Sequence, residues 1–494
     1  MAAFAAAAAA APPPRSAAAA ASTELRGGRS WSAGTTTSSS ALAPFRRFGP
    51  GPTTLAPEPP ARGAERPATS GQLSSAVLAS MALGFVAGSA SAPRRPGLRQ
   101  RRGGRPRPPR AVFTEEGLQR IERHEYHPGG LTPLDKKLTP FWQGLVDLLP
   151  AWLPPNIVTM AGFAPLAVAY ALSWVQSPGF AVPASRWLIL CTAAALWIYQ
   201  TTDAMDGKHA RKHGAATPVG QLFDHGFDCL ATVSLHSMAC LVLLPAASAW
   251  GVAGQAALMT SFFLAQWSER HLGVLPTSYG AIGVTETQFA LMLSLFWGAH
   301  AGPEGLLSFS KSMVASPLSG SLTPRGVLVC QGWSLFCASI GSICFVKTLS
   351  HVMKDESKGP GRLRRALLDL FPPVALSALS LAWQPAAFAS APRLISLATA
   401  IPMFYFTAQM ILFTMAGMAF PARQMTLLPY AALVAASWLL PGRADLVCSG
   451  VLTFTLCMGV TVLAWLTQAV TEMKERLGIY VFSLRKPPRP VITA

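Results

Sequence analysis

Four aspartates are concentrated in one short stretch of a chain with only 22 acidic residues in 494. Asp203 and Asp206 are three residues apart, and Asp224 and Asp228 are four apart. Residues at these spacings share one face of a helix, so each pair projects from one side of its segment. Two antiparallel helices joined by a short loop would bring all four carboxylates together.

These carboxylates flank two apolar segments, where acidic side chains are costly. An aspartate at the centre of a transmembrane helix costs about 2.5–3.5 kcal/mol on insertion scales, and neighbouring negative charges oppose one another's ionisation. Divalent cations remove this conflict, and oxygen ligands favour Mg²⁺ or Mn²⁺. The sequence therefore predicts two ions that clamp the attacking and leaving oxygens of a phosphoryl transfer. The alternative, solvated loop charge, explains Lys208 and Lys212 but not the four aspartates.

Residues between the aspartates suit a phosphate ligand. Gly207 allows a close approach of backbone to ligand, and the forked guanidinium of Arg211 can hold a pyrophosphate. Gly220 allows two helices to approach closely.

The composition predicts a polytopic membrane protein. The chain is 51% hydrophobic and only 13% charged, whereas soluble proteins carry about 25% charged residues. This excludes an ordinary soluble enzyme and a wholly disordered chain. Ten apolar segments each approach the roughly 20 residues that a transmembrane helix needs: 156–175, 185–204, 222–246, 248–268, 283–300, 326–349, 366–383, 392–419, 424–441 and 446–470.

Basic loops give the predicted orientation. Lys and Arg follow the second, sixth and tenth apolar segments, at 208–212, 354–365 and 474–486. By the positive-inside rule, these loops, both termini and the aspartates face the cytoplasm. Before the first span, apolar residues recur at helical spacing, which predicts an interfacial amphipathic helix or, alternatively, a loop helix packed on the bundle: Leu138, Phe141, Trp142, Leu145, Leu148 and Leu149.

The net charge of +18 is uneven, because residues 1–110 contain 15 Arg and three Glu but neither Lys nor Asp. This Ala-, Pro- and Ser-rich tail is predicted to be disordered and resembles an organellar targeting peptide. Since the basic character belongs to the tail, a nucleic-acid partner is not expected. The eight cysteines lie in apolar segments and suggest neither a zinc site nor a disulfide framework.

The spacing Asp203-x2-Asp206-Gly207-x2-Ala210-Arg211-x8-Gly220-x3-Asp224-x3-Asp228 resembles the signature of the CDP-alcohol phosphotransferase family. Further stretches are similar to its eukaryotic choline/ethanolamine phosphotransferase branch: 134–138, 141–142, 152–156, 217–228 and 284–288. The resemblance covers about residues 118–486.

This resemblance implies a ten-helix membrane enzyme, expected to be a homodimer in the endoplasmic reticulum or Golgi, with organellar targeting by the tail left open. It would transfer phosphocholine or phosphoethanolamine from CDP-choline or CDP-ethanolamine to diacylglycerol and release CMP. The alternatives are a relative that uses inositol or glycerol phosphate and, from a different class, an ion-coupled transporter. Ten spans disfavour the first, and one tight acidic cluster without an internal repeat disfavours the second.

The resemblance also implies roles for individual residues. Asp203, Asp206 and Asp224 would bind two Mg²⁺ or Mn²⁺ ions, with Asp228 contributing. Asp228 would also be the base, with His225 as the alternative base or a partner of the metal ligands. The remaining assignments are CDP binding by Asn156, Gly207, Ala210, Arg211, Thr217 and Gly220, and headgroup binding by Glu286 and Trp267, unless Trp267 is an interfacial anchor.

The predicted organisation has five parts. They are a tail at 1–110, a cytoplasmic segment with the interfacial helix at 111–154, catalytic helices at 155–302, further transmembrane helices at 303–470 and a cytoplasmic tail at 471–494.

Overall fold

The computed structural model describes residues 111–127, 129–180, 184–243, 249–318, 324–354 and 361–484. The predictions for the tail at 1–110 and for Arg485 and Lys486 lie outside these residues.

The described chain consists of helices and one two-stranded hairpin, which confirms the all-α prediction. The hairpin pairs β1 (Ser278–Tyr279) with β2 (Ile282–Gly283). The helices are α1 (Glu115–Glu122), α2 (Pro133–Leu148), α3 (Pro155–Gln176), α4 (Arg186–Lys212), α5 (Pro218–Leu243), α6 (Ala249–Leu272), α7 (Val284–Leu318), α8 (Pro324–Lys354), α9 (Arg362–Asp369), α10 (Phe371–Leu381), α11 (Pro385–Ser390), α12 (Pro392–Met415), α13 (Leu427–Leu439) and α14 (Ala444–Leu477).

Three of the described helices are long and apolar enough to cross a membrane, namely α3, α12 and α14. The predicted span 366–383 differs, because it is divided between α9 and α10 at Leu370. The 11 residues of α10 extend about 17 Å, less than the roughly 30 Å of a hydrocarbon layer. Pro372 and Pro373 open α10, and proline lacks the N–H that would continue the preceding helix.

The amphipathic segment before the first span forms α2. It begins with a capping box, in which the backbone N–H groups and side chains of Thr132 and Asp135 bond reciprocally at 3.0 Å. Trp142 and Val146 are buried against Met205 of α4. Two further apolar side chains are exposed: Phe141 and Leu148. One face of α2 therefore packs on the other helices, while apolar side chains on its other face are exposed.

Helices α3 and α4 are in close contact at Gly162. A Cβ atom at Gly162 of α3 would overlap the side chain of Thr202 on α4. Small residues permit this kind of close helix contact. The contact lies next to Asp203, so it sets the position of that residue relative to α3.

Residues 111–127, here called the N-terminal strap, are attached to the end of the C-terminal helix. The Glu472 carboxylate accepts hydrogen bonds from the backbone N–H groups of Val112 and Phe113 at 2.9 and 3.1 Å. Arg476 pairs with Glu115 at 3.1 Å and Glu122 at 2.9 Å. The strap also buries apolar side chains in a cluster shared with α5, α12 and α14: Phe113, Leu118 and Ile121.

Candidate functional site

The aspartates of α4 and α5 come together where the two helices are joined by residues 213–217. Gly214, with φ 59°, follows the end of α4 in the left-handed conformation that often ends a helix. One carboxylate oxygen from each of Asp203, Asp224 and Asp228 lies within 4.8 Å of the others. These three residues, here called the three-aspartate cluster, offer the oxygen ligands that hard divalent cations prefer.

The carboxylate oxygens of the three-aspartate cluster differ in their hydrogen bonding. The hydroxyl of Tyr199, one turn before Asp203 on α4, donates a hydrogen bond to Asp228. The Oδ1 atom of Asp203 is buried and accepts no hydrogen bond from the described residues. A buried polar atom without a partner is costly, and a bound cation would satisfy it. The donor set therefore fits a divalent metal ion.

Asp206 occupies a different environment from the three-aspartate cluster. It is 4% exposed, and its Oδ2 atom accepts a hydrogen bond from the Thr159 hydroxyl of α3. Among the described residues, the group whose ligand atoms converge contains Asp203, Asp224 and Asp228 but not Asp206. Thr159 thus holds Asp206 beside the cluster.

His225 is buried next to the cluster. Its Nε2 atom is 3.8 Å from Oδ2 of Asp224, and the edge of its ring packs on Tyr126 of the strap, with ring centroids 5.4 Å apart. The histidine therefore faces a carboxylate on one side and the strap on the other.

Three of the residues predicted to bind CDP lie at the start of α5 and α3. Thr217 caps α5, since its hydroxyl accepts the backbone N–H of Gly220 at 3.1 Å. A Cβ at Gly220 would lie 3.6 Å from Oδ1 of Asn156, so these residues are neighbours. Asn156 in turn donates to the carbonyl of Val481 at 2.8 Å.

The other three predicted CDP-binding residues lie in the last turns of α4. A Cβ at Gly207 would be 3.3 Å from Nη1 of Arg211, so the missing side chain makes room for the guanidinium. Arg211 is exposed, and its donors remain accessible to a ligand. Ala210 is buried, and its carbonyl accepts the N–H of Ala215 at 2.8 Å.

The two residues predicted to bind the headgroup have contacts outside the cluster. Trp267 is fully buried; its Nε1–H donates to the carbonyl of Ala366 at 3.1 Å, and its ring stacks on Phe345. An interfacial anchor would be partly exposed, so that alternative is wrong for Trp267. Glu286 accepts the backbone N–H of Gly283 at 2.8 Å, at the start of α7.

Sequence reasoning missed several residues at the site. Tyr199 and Thr159 could have been found, because they lie one helical turn from Asp203 and from Asn156. Gln221, three residues before Asp224, donates to Glu269 of α6 at 3.0 Å. Glu269 and Tyr126 could not be identified from sequence spacing, because they lie on α6 and on the strap, far along the chain from the aspartates.

Comparison with known proteins agrees with this geometry. The family model described as CDP-alcohol phosphatidyltransferase matches residues 152–318, the segment that contains all four aspartates. Residues 152–318 are therefore similar to the CDP-alcohol phosphatidyltransferase family. The resemblance read from the aspartate spacing is thereby confirmed.

Individual relatives of this CDP-alcohol phosphatidyltransferase segment carry related names. Cholinephosphotransferase 1 of Gallus gallus is 35% identical over 194 residues, which are 39% of this chain and 57% of that protein. The Homo sapiens protein of the same name is 34% identical over 186 residues, 37% of this chain and 45% of that protein. Choline/ethanolaminephosphotransferase 1 of Arabidopsis thaliana is 27% identical over 398 residues, 75% of this chain and 97% of that protein. The chain thus spans about half the length of the vertebrate relatives it matches.

Proposed function

We propose that this protein transfers phosphocholine, phosphoethanolamine or both from the CDP-alcohol to diacylglycerol. The acylglycerol hydroxyl oxygen forms a bond to the β-phosphorus, the bond to CMP breaks, and the hydroxyl proton passes to a base. The convergence of Asp203, Asp224 and Asp228 within a CDP-alcohol phosphatidyltransferase segment carries this proposal. The names of the relatives support the choice of choline and ethanolamine.

We assign two divalent ions, Mg²⁺ or Mn²⁺, to the four aspartates. Asp203, Asp224 and Asp228 converge, and Asp206, held by Thr159, lies beside them. When bound, such ions neutralise charge on the transferred phosphate and on its attacking and leaving oxygens. The buried and unpartnered oxygen of Asp203 supports a cation at this place.

We assign the base to Asp228, with His225 as the alternative. The Tyr199 hydroxyl fixes the orientation of the Asp228 carboxylate, as proton transfer at a defined atom requires. His225 lies 3.8 Å from Asp224, and this contact suits a residue that positions a metal ligand.

We assign CDP binding to the starts of α3 and α5 and the end of α4. The exposed Arg211 guanidinium lies over Gly207, where its fork can meet two phosphate oxygens. Asn156, Thr217 and Gly220 are neighbours at the starts of α3 and α5, and the small Ala210 lies in the last turns of α4.

We propose that the chain crosses the membrane ten times, with α9 and α10 together making the crossing at 366–383, and that α2 lies at the cytosolic surface of the membrane. The three helices apolar enough to span and the exposed apolar side chains of α2 support this arrangement. The basic residues Lys208, Arg211 and Lys212 share the aspartate end of α4, which supports a site facing the cytosol. We also propose that the protein is a homodimer in the endoplasmic reticulum or Golgi. The proposed boundaries between its cytoplasmic, catalytic, further transmembrane and C-terminal parts follow residues 154, 302 and 470.

The test is transfer of label from CDP-choline and CDP-ethanolamine to diacylglycerol in membranes containing the full chain. We expect labelled phospholipid that EDTA abolishes and that Mg²⁺ or Mn²⁺ restores. Asp228→Asn should lose activity, whereas Asp445→Asn, which changes an exposed aspartate on α14, should not. Product formation that is insensitive to EDTA, or equal in Asp228→Asn, would contradict the proposal.

A further inference from the structure

A fifth carboxylate lies close to the aspartate site. Glu269, near the end of α6, is only 6% exposed. Its Oε1 atom accepts a hydrogen bond from Nε2 of Gln221 at 3.0 Å. Among the described residues no Lys or Arg pairs with it, and the adjacent Arg270 faces Asp369 instead, at 3.6 Å. A buried carboxylate without a cationic partner is costly.

Gln221 places this carboxylate at a defined distance from the aspartates. Gln221 precedes Asp224 by three residues on α5, so it lies on the same face, about 4.5 Å away along the helix axis. Its other amide atom, Oε1, is bonded to Nε2 of His124 on the strap at 2.8 Å. The amide is therefore fixed from both sides, and it links Glu269 to the helical turn that precedes Asp224.

An aromatic ring from the strap lies at the same place. Tyr126 packs on His225 with ring centroids 5.4 Å apart. Burial, followed by the negative charges of Asp224, Glu269 and two further aspartates, raises the pKa of the Tyr126 hydroxyl above its usual range. Tyr126 lies two residues after His124, whose bond to Gln221 connects the strap to Glu269, and its ring packs on His225 beside Asp224.

We propose that Glu269 and Tyr126 form the subsite for the cationic nitrogen of the aminoalcohol headgroup. This inference rests on the proposed function, in which the aspartates hold the phosphate. Two carbons separate the nitrogen from the phosphate ester oxygen in choline and in ethanolamine, so the cation lies within about one helical turn of the phosphate-binding residues. Glu269 supplies the missing counter-charge, and Tyr126 supplies an aromatic surface of the kind that binds ammonium groups.

The headgroup candidates chosen from the sequence have other partners. Trp267 is buried and bonded to Ala366, and Glu286 accepts a backbone N–H at the start of α7. Glu269 differs from both, because it is buried beside the aspartates and no Lys or Arg of the described residues pairs with it.

The test is equilibrium binding to the full chain in detergent with Mg²⁺, using three ligands. These are CDP-choline, its neutral isostere CDP-3,3-dimethylbutanol, and CMP, which has no headgroup. We expect Glu269→Gln to weaken CDP-choline by about tenfold, as loss of a charge-assisted contact implies, and to leave the other two within about twofold. Asp369→Asn, which changes a carboxylate that faces Arg270, should leave the ratio of CDP-choline to CMP affinity unchanged.

Tyr126 provides a second and independent variant. Tyr126→Leu should weaken CDP-choline selectively, whereas Tyr126→Phe, which keeps the ring, should not. If Glu269→Gln fails to bind CMP, the Tyr126 pair decides the matter. Equal weakening of all three ligands in both Glu269→Gln and Tyr126→Leu, or no weakening in either, would overturn the subsite. Absence of transfer from CDP-choline to diacylglycerol by the unaltered chain would instead refute the proposed function.

Discussion

The hydroxyl of Tyr199 donates a hydrogen bond to the carboxylate of Asp228, from α4 to α5. This bond crosses between the two helices that supply the three-aspartate cluster. Tyr199 lies four residues before Asp203 and so shares its helix face. One helix face therefore supplies both a cluster aspartate and the group that orients a second aspartate on the neighbouring helix.

Tyr199→Phe removes this donor and keeps the ring that packs in the core. We expect kcat to fall about tenfold, because a hydrogen bond to a charged group is worth about 1.5 kcal/mol or more. The KM for the CDP-alcohol should change little, which steady-state kinetics can verify. Tyr170→Phe, at a tyrosine buried in the same apolar cluster, is the control. An unchanged kcat in Tyr199→Phe would show that Asp228 does not need this orientation.

Gly207→Ala separates the stability of α4 from its function. The added Cβ would be 3.3 Å from Nη1 of Arg211 and so displaces the guanidinium. The substitution also favours the helix by about 1 kcal/mol. We expect a several-fold higher KM for the CDP-alcohol together with an equal or higher melting temperature. Gly144→Ala on α2, where a Cβ meets nothing within 4 Å, should leave KM unchanged, and an unchanged KM in Gly207→Ala would refute the role of Arg211.

Glu472 attaches the strap, and its loss should disturb the site at a distance. In Glu472→Ala, the backbone N–H groups of Val112 and Phe113 lose their acceptor. We expect faster proteolysis within residues 111–127 and weaker CDP-choline binding, because the strap carries His124 and Tyr126. Glu475→Ala, an exposed glutamate on the same helix, is the matched control. Rapid strap cleavage with unchanged binding would show that the strap does not contribute to the site.

Arg393 at the start of α12 should matter for stability. It is 1% exposed, and its guanidinium donates to the carbonyls of Ser173 and Ser177 at 3.0 and 2.8 Å, at the end of α3. Arg393→Met removes both charge-assisted bonds, although the two carbonyls keep backbone donors from Ser177 and Phe180. The loss should cost about 1.5–3 kcal/mol and lower the melting temperature in detergent. Arg443→Met, at an exposed arginine, should have no such effect, and equal melting temperatures of the two variants would contradict this role.

The aspartate cluster was predictable because its geometry is local. Helical periodicity places Asp224 and Asp228 on one face, and the short 213–217 link returns the chain to Asp203. The family resemblance followed from the same spacing. By contrast, Glu269 reaches the site through Gln221, and Tyr126 reaches it from the strap, and neither contact leaves a periodic signal in the sequence.

Hydrophobicity predicted the presence of helices better than it predicted where they end and which side chains they bury. The apolar run 366–383 reads as one span, yet two consecutive prolines divide it at Leu370. Trp267 fits a membrane interface by residue type, but packing between α6, α8 and α9 buries it. Residue type cannot distinguish an aromatic side chain that faces lipid from one that faces a neighbouring helix, because an apolar side chain is favourable in both environments.

The seam at Gly162 carries a mechanical consequence for the reaction. Since the Thr202 side chain of α4 occupies the space that a Cβ at Gly162 would need, α3 and α4 are packed tightly at this point. A methyl group at position 162 would overlap Thr202, the neighbour of Asp203 in the chain. We therefore expect it to displace Asp203 relative to Asp224, so that the spacing of the carboxylates depends on a residue that carries no charge.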